Sequence, residues 1–336
     1  MMRAIEIGGA FGLDNLKVVE RPEPVPGPGQ VVVALRAASL NYRDLMMIQG
    51  SYNPRQKLPL VPCSDGAGVV ESVGPGVTRF AAGDRVATTL NPRWIAGEPS
   101  RELVRATLGG PLDGVLEERM AFSEESLVRV PAHLSDEEAA TLPCAALTAW
   151  SALDAGRIGA GDTVLIQGTG GVAVFALQLA KLRGARAIAT TRRAERAERL
   201  LALGADEVID SRTFPDWGAK ARDAAGGRGV DLVVEIGGAG TLEQSLKAVR
   251  IGGTVGLIGI LDGNAAAIPL TSIFMQAIRL QGVLVGSRET FERMNRAIEL
   301  SALHPVVDRT YPWTEVRAAL ERMAAGDHFG KICLSF

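Results

Sequence analysis

The chain has 336 residues, more than the roughly 250–300 that one hydrophobic core usually serves, which predicts two domains. Hydrophobic residues make up 47% and charged residues 22%, excluding a disordered or fibrous chain; 36 basic against 38 acidic residues leave a net charge of -2, with no surplus to mark a nucleic-acid or anionic-membrane partner. No window holds the roughly 18 uncharged apolar residues of a membrane span, and Cys63, Cys144 and Cys333 lie too far apart for a disulfide framework or a CxxC pair, so the expectation is a soluble, cytoplasmic protein with reduced thiols.

Up to about residue 125 the pattern is one of short strands broken by turns. The stretch PEPVPGPGQ (22–30) cannot sustain a helix, because each proline removes a donor and fixes φ. Strands are predicted at 31–35, 68–73 and 84–88, with GPG (74–76) as a turn. This segment reads as an antiparallel β domain.

Beyond it the pattern changes. Ser135 and Glu138 form a capping-box signature ahead of an Ala- and Leu-rich helical stretch leading to Trp150. Apolar runs at 163–167, 186–190, 207–209, 231–236, 254–260 and 280–286 read as buried parallel strands. Helices are predicted from Gly171 to Arg183, from Ala194 to a stop at Gly204, and after a cap formed by Thr241 and Gln244. The fold class is α/β: a doubly wound parallel-sheet domain over 126–290, and a β domain built from 1–125 and 291–336.

Gly168, Thr169, Gly170, Gly171, Val172 and Ala173 follow a strand and open a helix, giving GxGxxA in the context of a dinucleotide fingerprint. Gly168 permits the tight turn, Gly170 lets backbone approach a pyrophosphate, and Ala173 lets helix and strand lie close. About 20 residues on, where an acidic residue would take the ribose hydroxyl of NAD, stand Thr190, Thr191, Arg192 and Arg193. A 2'-phosphate is repelled by a carboxylate and gripped by guanidinium, so the reading is an NADPH site; a solvated basic helix start is the alternative. Thr148 and the strand ends Gly237, Ile258 and Val285 are expected along the cofactor edge of the sheet.

His133, His304 and His328 show no metal-ligand spacing, and neither GxSxG nor a P-loop occurs. The segments 38–52 (ASLNYRDLMMIQGSY), 59–87, 140–150 (ATLPCAALTAW), 164–172 (VLIQGTGGV) and 329–336 (FGKICLSF) together resemble the medium-chain dehydrogenase/reductase superfamily. Within it they are similar to zinc-independent quinone oxidoreductases and to the enoyl reductase modules of fatty-acid and polyketide synthases. The resemblance implies a GroES-like β domain, a Rossmann domain, a cofactor cleft between them and a homodimer, with 280–286 as a candidate pairing strand. It also places Asn41, Ser64 and Cys144 at the three catalytic-zinc ligand positions of the alcohol dehydrogenases. One thiolate cannot supply a tetrahedral site, and 90–118, which takes the place of the structural-zinc lobe, has no cysteine, so no metal is expected. Asp65, beside Ser64 and close to Cys63, stands where the family often has an acidic ligand.

Without a Lewis acid, catalysis reduces to positioning and to donors at a developing oxyanion, which suits a quinone or an α,β-unsaturated carbonyl. The resemblance implies that Asn41 faces the nicotinamide and that Tyr52 lies at the substrate pocket, with Tyr42 its rival; a core ring with a satisfied hydroxyl is the alternative for either tyrosine. It also implies Lys331 near the pyrophosphate, oriented by Asp44. The insert 91–113, with a short helix predicted after Ser100, is either part of the substrate mouth or a surface excursion. Two functional alternatives stay open: a zinc-free alcohol dehydrogenase or carbonyl reductase, and a non-catalytic NADPH-binding protein.

Overall fold

Strands β1 (Met2–Ile7) and β2 (Leu16–Arg21) form an antiparallel ribbon that the sequence pattern conceals, because charged side chains at 3, 6, 17, 20 and 21 interrupt the apolar run. The proline-rich stretch stays outside regular structure and leads into β3 (Gln30–Ser39), α1 (Tyr42–Ile48), β4 (Asp65–Val73) and β5 (Arg85–Thr88). The short helix expected after Ser100 is α2 (Arg101–Arg105), with Ser100 Oγ accepting from the Leu103 amide at 3.3 Å. After β6 (Arg119–Ser123) and β7 (Leu127–Arg129), the Ser135 capping box starts α3 (Asp136–Ala140), and a single π-helical turn carries the chain into α4 (Leu147–Ala155).

From there β8 (Thr163–Gln167), α5 (Gly171–Leu182), β9 (Arg186–Thr191), α6 (Ala197–Ala202), β10 (Glu207–Asp210), α7 (Trp217–Ala224), β11 (Val230–Glu235), α8 (Leu242–Ala248), β12 (Val249–Leu257), α9 (Thr271–Phe274) and β13 (Arg279–Gly282) alternate. The chain closes with α10 (Arg288–Ser301), β14 (Val307–Pro312), α11 (Val316–Ala324) and β15 (Lys331–Ser335).

This computed structural model describes residues 1–336 and divides into two compact units, Met1–Leu147 with Val285–Phe336, and Thr148–Leu284. The divisions fall at 147/148 and 284/285, where the sequence pattern suggested 125/126 and 290/291. The cause at the first is α3, which packs on β3, β4 and β15 and so belongs with the β sheet. The apolar run 280–286 yields only the four residues of β13, an edge strand with β12 as its one neighbour, and Val285 falls in the other unit.

The first unit holds a seven-stranded sheet in the order β14-β15-β3-β4-β5-β7, with β6 also paired to β3; only the β14–β15 pair is parallel. Val33, Leu35, Ile48, Leu116, Leu320 and Ile332 fill its core. In the second unit six parallel strands run β10-β9-β8-β11-β12-β13, the 3-2-1-4-5-6 order of a dinucleotide-binding sheet. Leu165, Ile188, Val233 and Val255 from four adjacent strands meet Trp217 and Leu246 from the covering helices. Each such side chain contributes about 1.5–3 kcal/mol through burial. No helix is long and apolar enough to cross a membrane.

Candidate active site

In the first unit a buried polar cluster forms where α1 begins beside β4 and β15. Asn41 is the extended residue before α1, and its backbone N–H donates to Asp44 Oδ2 at 2.7 Å. Asp44 is fully buried, with Oδ1 3.7 Å from the Arg43 guanidinium; burial pushes its carboxyl up to about 6 while Arg43 opposes the shift. The Lys331 ammonium, brought alongside by the β15–β3 pairing, donates to the Leu40 carbonyl and to Asn41 Oδ1, both at 2.6 Å. An ammonium only donates, so Asn41 must turn its oxygen to the lysine and its Nδ2 away. That Nδ2 is buried without a hydrogen bond, although the amide lies near enough to Asp65 to help hold that carboxyl ionised.

Asp65 accepts from Ser64 Oγ at 2.6 Å and from the Cys144 backbone N–H at 3.0 Å. Burial raises its carboxyl, with Lys331 the chief opposing charge. The same burial, with Asp65 nearby, pushes the Cys144 thiol up to about 12. The expected direct pairing of Asp44 with Lys331 is not what forms: the lysine is satisfied by Leu40 and Asn41, and Asp44 connects to it through the Asn41 backbone.

Tyr42 and Tyr52 are 47% and 52% exposed, which excludes the core-ring alternative for both. Arg43, which sequence reasoning passed over, lies against the Tyr52 ring with its guanidinium carbon 5.2 Å from the centroid. It also donates to the Leu108 carbonyl at 3.0 Å and to Thr107 Oγ1 at 3.3 Å, fastening the end of the 91–113 insert to α1.

In the second unit β8 ends at Gln167 and the chain turns at Gly168, whose φ of 79° suits glycine alone without strain. Thr169 and Gly170 follow, and α5 starts at Gly171 with Ala173 buried beneath it, while Val172 is partly covered. This twelve-residue helix points unpaired N–H groups and a positive dipole end at the turn. Arg196, absent from the expected site, donates to Thr169 Oγ1 at 2.7 Å and so lies across the glycine loop. Its signal was the i, i+4 spacing from Arg192. Arg192 is largely exposed and pairs with Asp262 at 2.5 Å; Arg193 is 4.0 Å from Glu195, and its backbone N–H donates to the buried Thr191 hydroxyl at 3.0 Å.

Between β8 and β11, where the strand order reverses, Glu235 is fully buried and accepts four hydrogen bonds: from Gln167 Nε2 (2.7 Å), Gly238 N (2.9 Å), Thr241 Oγ1 (2.5 Å) and Ser245 Oγ. Gln167 Oε1 in turn accepts from the Ile236 and Gly237 amides, both at 3.2 Å, and the Ile258 amide donates to the Glu235 carbonyl at 2.9 Å. Gly237 and Ile258 are thus held at the switch point of the sheet, where ligands of such sheets bind. Thr241 stands before α8 as expected but does not cap it through its side chain, because its hydroxyl is drawn to Glu235. Thr148 is buried at the start of the unit.

The three positions that the resemblance aligns with metal ligands carry an amide at Asn41, a hydroxyl bonded to Asp65 at Ser64, and a thiol at Cys144. No three His, Cys, Asp or Glu side chains are placed to share an ion. This donor set does not fit a tetrahedral zinc. His133 and His304 pack edge-on at 5.0 Å, bonded to the Leu303 carbonyl and to Glu138, as structural residues.

A switch-point sheet with a glycine turn, joined in one chain to an antiparallel β unit, defines a pyridine-nucleotide oxidoreductase of two modules. Residues 27–132 match the alcohol dehydrogenase GroES-like domain, and 171–300 match the zinc-binding dehydrogenase domain. The chain is 38% identical over 331 residues to a zinc-type alcohol dehydrogenase-like protein of Schizosaccharomyces pombe, covering 96% of each. It is 32% identical to the acryloyl-coenzyme A reductase of Metallosphaera sedula, over 99% of this chain and 100% of that one. A solved structure of an NAD-dependent alcohol dehydrogenase superposes with a TM-score of 0.91 at 36% identity, covering 100% of both chains. The chain belongs to the medium-chain dehydrogenase/reductase superfamily.

Proposed function

We propose that this oxidoreductase reduces a carbon–carbon double bond conjugated to a carbonyl, or the equivalent quinone, without a metal and with NADPH. The observation that supports the reading is the Asn41–Lys331 contact, which orients an amide to donate to a substrate oxygen at a position that the resemblance aligns with a metal ligand. Reduction of a simple ketone builds charge on an alkoxide, whereas conjugate reduction spreads it over an enolate, for which amide donors suffice. When bound, NADPH supplies the hydride. Asn41 Nδ2 donates to the substrate oxygen as the double-bond electrons move onto it, and the exposed Tyr52 hydroxyl, or Tyr42 in its place, returns a proton to the α carbon.

Arg192, Arg193 and Arg196, with no carboxylate at 190–193, favour a 2'-phosphate, while Lys331 serves Asn41. Gly168, Gly170, Gly171 and Val172 take the pyrophosphate; Thr148, Thr191, Gly237 and Ile258 line the cofactor path, and Val285 is assigned to it with them. We place a homodimer contact on the open edge of β13 and the protein in the cytoplasm.

The test is to incubate chelator-treated protein with NADPH and an enal, then identify the product by NMR. Saturation of C=C is expected. Reduction at C=O would establish the carbonyl-reductase reading, which the alcohol dehydrogenase relatives favour, and bound NADPH with no turnover would establish a binding protein.

A further inference from the structure

Arg43 is a buried cation that the reaction above does not use. Its side chain, 10% exposed, is fastened to three acceptors of the 91–113 insert: the Leu108 carbonyl at 3.0 Å, Thr107 Oγ1 at 3.3 Å and the Gly110 carbonyl at 3.4 Å. A guanidinium is planar, so acceptors spread around it fix its plane as well as its position. The insert is tightly packed there: a side chain at Gly109 would meet the Cys63 carbonyl carbon at 2.8 Å, and one at Gly110 would strike Met47 of α1. Asp44 Oδ1, which makes no hydrogen bond of its own, lies 3.7 Å from the guanidinium. Burial works against the charge, but Asp44, Tyr52 and Cys144 together outweigh it and keep Arg43 cationic.

The ring held by this clamp is Tyr52. It sits on the turn that closes α1, where the Ser51 and Tyr52 amides both donate to the Met46 carbonyl, at 2.9 and 3.1 Å, and the guanidinium carbon lies 5.2 Å from its centroid. Tyr42, the first residue of α1, has no ring, cation or hydrogen-bond partner against its side chain. The two tyrosines are about equally exposed, so the cation is what separates them. An unpartnered surface ring moves among its rotamers, whereas one stacked on a fixed guanidinium keeps its hydroxyl in place.

Conjugate reduction needs one proton after hydride has reached the β carbon. The enolate collapses, a C–H bond forms at the α carbon, the O–H bond of the donor breaks, and the negative charge passes to the donor oxygen. A phenolate left at Tyr52 lies beside the Arg43 cation, and the exposure of the ring lets water restore its proton; one left at Tyr42 has no guanidinium against it. We propose that Arg43 is a positioning residue that makes Tyr52, and not Tyr42, the proton donor, by fixing the ring and stabilising the phenolate. The inference rests on the conjugate-reductase reading for its reaction, but the Arg43–Tyr52 contact is testable without turnover.

The chain holds three tyrosines, Tyr42, Tyr52 and Tyr311, so full-length protein labelled with fluorotyrosine gives three fluorine NMR resonances, and Tyr52→Phe assigns one of them. In Arg43→Met that resonance is expected to move towards the position of free fluorotyrosine. Rates and product configuration are then taken with NADPH and an α-methyl enal, whose saturated product carries a stereocentre at the protonated carbon. Wild type is expected to give chiefly one enantiomer. Tyr52→Phe is expected to lose on the order of 10² in kcat, the lower end of what a general acid contributes, and to give nearly racemic product. Arg43→Met is expected to lose at least about tenfold in kcat with KM changed less than about twofold, and to erode the enantiomeric excess as well. The double variant is expected to lose no more than Tyr52→Phe alone. Arg43→Lys, which keeps the charge without the planar fork, is expected to fall between, and it carries the test if the methionine variant does not fold.

A Tyr52 resonance that does not move in Arg43→Met would overturn the proposal. So would loss of facial selectivity in Tyr42→Phe with none in Tyr52→Phe, which would make Tyr42 the donor. Saturation of C=C with undiminished selectivity in Arg43→Met would keep the conjugate-reductase reading and sink the role of Arg43. Reduction at C=O, with the Tyr52 resonance moved, would sink the conjugate-reductase reading and leave only the contact standing.

Discussion

The Lys331 ammonium stands 2.6 Å from Asn41 Oδ1, joining two positions 290 residues apart in sequence. The lysine fixes which way the amide faces, so its effect on the reaction should run through Asn41. Removing a donor from a developing oxyanion costs about 10²–10³ in kcat, and Asn41→Ala is expected near the lower figure. Lys331→Met is expected to lose a similar factor, and the double variant to lose no more than Asn41→Ala alone. Multiplying losses in the double-mutant cycle, seen chiefly as a higher Kd for NADPH, would instead place Lys331 on the pyrophosphate.

Arg192 is held by Asp262 at 2.5 Å, so a bound 2'-phosphate must compete with that carboxylate. Both side chains are exposed, and such pairs are worth about 0.2–1 kcal/mol. Asp262→Asn is therefore expected to tighten NADPH by about two- to fivefold and to leave NADH unchanged. Losing Arg192 and Arg193 together is expected to weaken NADPH at least about tenfold, again with little effect on NADH. Fluorescence titrations with both cofactors check these outcomes, and equal changes for the two would refute the 2'-phosphate assignment.

What the sequence disclosed and what it hid follow from the range of the interactions. The glycine turn, the parallel strands other than the last and the Ser135 capping box are local patterns, and they stand where their residues predict. The ribbon of β1 and β2 was invisible because half its side chains face water. Lys331–Asn41, Arg196–Thr169 and Arg43–Thr107 join residues 290, 27 and 64 positions apart, and no periodicity encodes them. Thr241 shows the converse error: a good local capping signal gave way to a buried carboxylate only the fold supplies.

Glu235 is that carboxylate, and its removal should be costly. Glu235→Ala would strand one of the two Gln167 Nε2 hydrogens, the other still reaching Ser245 Oγ at 2.8 Å, and the Gly238 N–H, while the two hydroxyls can turn to other acceptors. Each stranded buried donor costs about 1–3 kcal/mol, so a loss on the order of 3–5 kcal/mol is expected. Urea unfolding followed by the fluorescence of Trp217, buried in the same unit, measures it. A shift of the midpoint too small for even one stranded donor would mean that the turn at 236–238 is held by other contacts.

Glu117 gives the protein a stability that should fall with rising pH. It is 4% exposed, its Oε2 lacks a hydrogen bond, and burial pushes its carboxyl up to about 8; Arg21, 3.6 Å away, opposes the shift, while Asp113 and Glu6 add to it. Between the unfolded value near 4.5 and the folded value near 8, the folded chain holds a proton that the unfolded chain has released. Its contribution is thus complete below the unfolded pKa and is lost as pH climbs towards the folded one, by about 1.4 kcal/mol for each pH step of one between the two. Calorimetric scans at about pH 5 and pH 8.5 are expected to show a higher Tm for wild type at the acid end, and Glu117→Gln, neutral throughout, should flatten that difference. An unchanged slope in the Gln variant would assign the pH dependence to Asp44, whose carboxyl is raised to about 6 and whose stabilising effect ends earlier, between roughly pH 4 and 6.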